Sequence, residues 1–124
     1  MERLINCHIV TEIECIDSVS GGNQHFEILF KRGNNEKYKL VFDSVWDFRY
    51  AIENAFITRS SKFIHDEEEK SNILLVENSE YVHYFGKQVS GTRPTERLKD
   101  YIIWDNVDTV IEILTNKEPI LERL

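Results

Sequence analysis

The chain has little that would staple, break or anchor it: two cysteines, two prolines and five glycines among 124 residues, and no apolar run near the ~18 residues of a membrane-spanning helix. Cys7 and Cys15 fall in what reads as one extended run, roughly 25 Å apart at ~3.3 Å per residue, beyond disulfide reach. Both read instead as small core side chains in a compartment where thiols stay reduced. The opening Met1-Glu2-Arg3-Leu4-Ile5-Asn6 lacks the basic region and apolar stretch of a secretion signal, so the expectation is a cytoplasmic protein with no membrane association.

Chemistry-bearing motifs are missing too. His8, His25, His65 and His83 are scattered, with no H-x-x-x-H, C-x-x-C or H-E-x-x-H spacing. Glu80 and His83, three apart on a helix, offer two ligands at most, so no metal and no cofactor are expected. There is no G-x-S-x-G elbow, and Gly21-Gly22 precedes a strand with no Lys-Ser or Lys-Thr at phosphate-loop spacing. No catalytic residue is assigned.

What is present is ordinary globular material. Hydrophobic residues make up 41% and charged residues 30%, and a chain of this length buries roughly two-thirds of its unfolded surface, enough for a core without staples. Without repeats, low-complexity tracts or a linker, residues 1–124 read as a single domain. The formal net charge of −7 repels phosphate backbones and anionic lipid and favours encounter with a basic protein, so nucleic acid is not an expected partner.

Apolar periodicity supplies the elements. Ile5, Cys7, Ile9, Ile13 and Cys15 share one parity, which predicts a strand over 5–16. After the turn cluster Ser18 to Asn23, the alternation of Phe26, Ile28 and Phe30 predicts a second strand. Gly33-Asn34-Asn35-Glu36 then predicts a tight reversal into a third, carried by Tyr38, Leu40 and Phe42. Phe48, Ile52, Ala55 and Phe56 stand at i, i+4, i+7 and i+8, the spacing of a helix from about Ser44 to Arg59 capped by Ser44 or Asp43. Ser60 to Ser71, with Asp66-Glu67-Glu68-Glu69, reads as a solvated loop or a frayed helix end.

Ile73-Leu74-Leu75-Val76 predicts a buried strand, and Asn78 or Ser79 opens a helix with Val82, Phe85 and Val89 on one face, ended by Gly91 and Pro94. Tyr101 to Trp104 predicts a strand. Val107 to Leu114 fits either period, and its β-branched residues favour a strand. The expected fold is α+β: a largely antiparallel sheet with two helices packed on one face.

On a helix over 44–59, Trp46, Arg49, Tyr50 and Glu53 would form a second face beside the Phe48 stripe. Trp46, Asp47, Arg49 and Tyr50 are therefore candidate binding residues, since Trp, Tyr and Arg dominate interface hot spots. The competing reading packs Trp46 and Tyr50 on the sheet edge and pairs Arg49 with Glu53. Arg93, in the stiff exit loop Val89 to Pro94, is a further candidate for an anionic group. Asp100, Asp105, Asp108, Glu112, Glu118 and Glu122 are set out as either a patch for a cationic partner or a solvated face.

The segments Phe42 to Tyr50, Val89 to Pro94, and Val110 to Leu114 followed by Glu118-Pro119 resemble small acidic immunity proteins encoded beside bacterial polymorphic toxins. That resemblance implies direct binding and blocking of a toxin domain, often a basic nuclease, and assigns no role to any single position. The first functional expectation is thus a protein-binding module with a basic partner such as a toxin domain. The second is a small enzyme or ligand-binding domain whose cleft draws on Arg49, Glu80, His83 and Arg93. A homo-oligomer joined by its sheet edge is the third.

Overall fold

The computed structural model describes residues 1–52, 56, 61–65, 71–89 and 95–124. In chain order the elements are β1 (Arg3–Asn6), β2 (Cys15–Gly22), β3 (His25–Arg32), a 3₁₀ turn (Gly33–Asn35), β4 (Glu36–Phe42), β5 (Val45–Ile52) and β6 (Ile64–His65). After these come β7 (Ile73–Glu77), α1 (Glu80–Gln88), β8 (Lys99–Trp104), β9 (Thr109–Thr115) and β10 (Ile120–Arg123). The strands form two sheets, one of six in the order β5-β9-β8-β7-β1-β6 and one of four in the order β10-β4-β3-β2. Every pairing is antiparallel except that of β1 with the two-residue β6.

The fold is α+β and dominated by antiparallel sheet, as its alternating patterns require. Its layering departs from one sheet with two helices on one face. Among the described residues one helix, α1, has defined ends, and the six-stranded sheet is sandwiched between it and the four-stranded sheet. On the inner face Tyr101, Ile103, Ile111 and Ile113 meet Ile28, Phe30, Leu40 and Phe42 from the smaller sheet. On the outer face Leu114 meets Tyr81 and Leu98, while Ile102 and Val110 pack with Leu74, Val76 and Phe63. With both faces covered, β8 and β9 need apolar residues at nearly every position, which is why they read as continuous runs.

Two expected elements are corrected. The 5–16 alternation is not one strand: β1 ends at Asn6, and the segment from Cys7 to Glu14 passes between the sheets, burying Cys7, Ile9 and Ile13 in the shared core. Apart from the Glu14 amide, which donates to the Lys31 carbonyl of β3 at 2.9 Å, the bonds found for its backbone go to side chains and loops. The Thr11 amide donates to Ser71 Oγ at 3.1 Å, and the Ile13 carbonyl accepts from Asn72 Nδ2 at 3.2 Å and from the Asn106 amide at 3.2 Å. Both cysteines are free, so no bond joins them.

The second correction concerns 44–59. Residues 45–52 are strand β5, paired with β9 from Val45↔Thr115 to Ile52↔Thr109. A spacing of four residues fits a two-residue period as well as a helical one, and Tyr50 between Phe48 and Ile52 completes the alternation. Ser44, at φ 57°, is not a helix cap but the left-handed corner where the chain leaves one sheet for the other. Thr115 Oγ1 holds that corner by donating to the Asp43 and Ser44 carbonyls at 2.8 and 3.1 Å. Apart from Phe56, the rest of the expected helix lies outside the described residues.

Elsewhere local chemistry and structure agree. The reversal after β3 forms with Asn35 at φ 61°, and β9 is a strand. Ser79 caps α1, its Oγ accepting from the Val82 amide at 3.0 Å and donating to Asp100 Oδ2 at 2.6 Å. Glu2 reaches the same helix end, where its Oε2 accepts from the Glu80 amide at 3.1 Å. The Gly91–Pro94 exit lies outside the described residues. No helix among the described residues is long and apolar enough to cross a membrane.

Candidate functional site

A two-residue period sends neighbouring side chains of β5 to opposite faces, and this divides the expected binding residues. β5 is the last strand of the larger sheet and runs past the cover of the smaller one. Phe48, Tyr50 and Ile52 therefore point inward yet stay 47, 63 and 50% exposed. Opposite them stand β2, the outermost strand of the smaller sheet, and its turn to β3. The space between is an open groove of about 620 Å³ lined by Val19, Phe26, Trp46, Phe48, Tyr50 and Ile111, with Gly21 to Gln24 at one end.

Three local features build the groove. A bulge after Val45 inserts one extra residue opposite Leu114, which places Trp46 against Phe85 of α1 at 6.1 Å between ring centres. Gly21 is required by close approach: a Cβ there would stand 2.7 Å from the His25 carbonyl and 2.8 Å from the Phe26 ring. Its absence lets Phe26 lie against Phe48, ring centres 4.6 Å apart, as the groove floor. The β2–β3 turn itself is Asn23-Gln24, both at positive φ, with the strand running on to Gly22 rather than ending in a Ser18 to Asn23 turn.

Arg49 faces the other way. Its guanidinium lies over the Tyr81 ring at 3.5 Å from the centroid, and Nη2 is 3.4 Å from Oε1 of Glu112, a residue only 4% exposed. Arg49 thus pairs with Glu112 on the neighbouring strand, while Glu53, its partner in the competing reading, lies outside the described residues. Arg49 reads first as the counter-charge of a buried carboxylate and second as a surface group. Burial, and then the neighbouring Asp47 carboxylate, push the Tyr81 hydroxyl well above an ordinary phenol, so it stays neutral. Asp47 and Trp46 also border the groove. Arg93 lies outside the described residues.

The acidic residues of the C-terminal third do not form one patch. Asp100, Asp105 and Glu112 are buried, and each has a structural partner. Asp105 fixes the β8–β9 turn: Oδ1 accepts from the Val107, Asp108 and Thr109 amides at 2.9 to 3.1 Å, and Oδ2 from the Ile16 amide at 2.9 Å. Burial raises the Asp105 carboxyl, but the four amides together outweigh it and hold it below the usual carboxylate range. Glu118 pairs with Lys99 and Glu122 with Lys39 at the surface.

Of the residues proposed for a catalytic cleft, the three described ones, Arg49, Glu80 and His83, do not line one hollow. A second hollow, about 580 Å³, is lined by Ser79, Val82, His83, Gly86, Lys87 and Glu96, and neither Arg49 nor Glu80 reaches it. Among the described residues no group of three His, Cys, Asp or Glu side chains is placed to hold a metal ion.

Of the groove's walls, sequence patterning pointed to Trp46, Asp47 and Tyr50, though on the wrong element, and missed Val19, Gly21 and Phe26. Gly21-Gly22-Asn23 before an alternating strand is the signal that marks the second wall, but nothing local says which strand it will face. No protein-family model, no curated protein and no solved structure matches this chain.

Proposed function

We propose that this chain is a protein-binding module whose contact surface is β5 and the groove beside it. The observation that carries this reading is the row Phe48, Tyr50 and Ile52, roughly half exposed side by side on the outermost strand of a sheet and opening onto an apolar groove. Uncovered apolar rows on edge strands promote aggregation and persist where a partner covers them. An extended segment laid along β5 would add to the sheet through main-chain hydrogen bonds and place alternate side chains in the groove. The net charge of −7 favours a basic partner. The resemblance to small immunity proteins makes a toxin domain the first partner class to try, with inhibition by coverage as the mode of action.

Co-purification from the native host at low salt tests the proposal. A basic protein should appear in stoichiometric amount with the unchanged chain and with Tyr84→Ser, which alters an exposed tyrosine on α1. The double change Phe48→Ser and Tyr50→Ser should weaken the complex about tenfold or more. Absence of any stoichiometric protein, or equal recovery by all three forms, would refute it.

A further inference from the structure

Behind the end wall of the groove, on residues that do not themselves line it, stands a charge arrangement that the apolar lining does not require. His25, the first residue of β3, places Nδ1 2.6 Å from Asp43 Oδ1 and Nε2 2.8 Å from Glu27 Oε2. Asp43 belongs to the β4–β5 corner, where Ser44 is left-handed and the chain passes into the sheet bearing the exposed row. His25 follows directly on Asn23-Gln24, the turn at the groove's end. The two segments meet a second time, because the Val45 amide donates to the Gln24 carbonyl at 2.9 Å. His25 therefore joins the turn on one wall to the root of β5 on the other.

A doubly protonated imidazole donates from both nitrogens and satisfies both carboxylates, whereas the neutral ring donates from one and turns a lone pair toward the other. We infer that His25 is a proton-operated clamp: doubly protonated, it ties the β2–β3 turn to the β4–β5 corner, and loss of its proton loosens the end wall of the groove. The charges acting on His25 are Asp43 from the corner and Glu27 from its own strand. Glu27 is in turn 3.5 Å from Lys39 on β4, and Lys39 is 3.3 Å from Glu122 on β10. From β2 the neighbouring positions are Gly21 and Gly22, which carry no charge.

The hydrogen bonds that the ring donates to Asp43 and then to Glu27 raise the imidazole above its ordinary value. A raised value means the clamp is fully formed below the ordinary histidine range and is lost as pH rises through the higher folded one. As a regulator of partner binding the clamp rests on the reading of the groove given above; as a property of the free chain it does not. A rigid groove loses less freedom when occupied, so binding should be tighter on the acidic side of the His25 titration.

The free chain supplies the test, so its outcome is independent of whether a partner is found. Imidazole NMR shifts locate the His25 titration, and hydrogen exchange of the Val45 amide, corrected for its intrinsic pH dependence, reports the wall. Opening should increase roughly threefold across the titration, the scale of an exposed ion pair. In His25→Gln, which does not titrate, and in Asp43→Asn, which removes the carboxylate, exchange should be flat with pH at the faster level. Val45 exchange that stays level while His25 titrates, or that keeps the same pH dependence in both variants, would overturn the inference.

Discussion

β5 and β9 are neighbours in one sheet, hydrogen-bonded along their length and similar in apolar content, yet they have opposite fates. Ile111 and Ile113 of β9 are essentially inaccessible, while Tyr50 and Phe48, their register partners on β5, are 63 and 47% exposed. Covering decides the difference. The smaller sheet lies fully over β9 but covers β5 only at its start, where Val45 is buried and Phe48 meets Phe26, so a similarly apolar strand becomes core in one case and largely surface in the other. Burial is thus a property of the layer above a strand and not of the strand's composition.

The sharpest way to break this comparison is to truncate register partners. Ile111→Ala should lower unfolding free energy by about 3 kcal/mol, because it leaves a cavity between packed layers. Tyr50→Ala should cost less than about 1 kcal/mol, as expected of an exposed side chain. Urea unfolding of both variants measures the gap, and equal losses would mean that Tyr50 belongs to the core.

Arg49 gives a smaller effect. Removing it in Arg49→Ala takes the counter-charge from buried Glu112 and the guanidinium from the Tyr81 ring, for a loss of about 1 to 3 kcal/mol with the ion pair half exposed to solvent. In a Glu112→Gln background the same change should cost clearly less. Equal costs in the two backgrounds would show that Arg49 acts without Glu112.

Asp105→Ala should lose about 1 to 2 kcal/mol at neutral pH, through the amides it leaves unpaired. Because the folded carboxyl is held below its ordinary value, its contribution is complete above the usual carboxylate range and disappears as pH falls toward the lower folded value. The gap between variant and parent should therefore narrow in acid. A gap that is constant with pH would remove the carboxylate charge from the explanation.

Where a signal is local, the sequence is legible in these terms. The reversal at Gly33 to Glu36, the Ser79 cap and the β-branched run of β9 each appear where patterning put them, because turn residues, caps and strand propensity act over a few positions. β5 was obscured because Phe48 and Ile52, four apart, satisfy both periods. The division of strands into two sheets was out of reach, since it depends on Phe42 meeting Tyr101 and similar contacts distant in sequence. Tyr81, the buried anchor of α1, was overlooked because tyrosine reads as amphipathic until its surroundings are known. The groove followed the same rule: one wall was marked by residue type, and the facing wall was set by topology.

The most direct measurement of the central claim is hydrogen exchange along β5, in the chain alone and in complex with a co-purified partner. Protection gained at the amides of Val45 to Ile52 and of the β2–β3 turn, with α1 and β10 unchanged, is the expected result. Protection gained on α1 or β10 while β5 exchanges as in the free chain would contradict the claim.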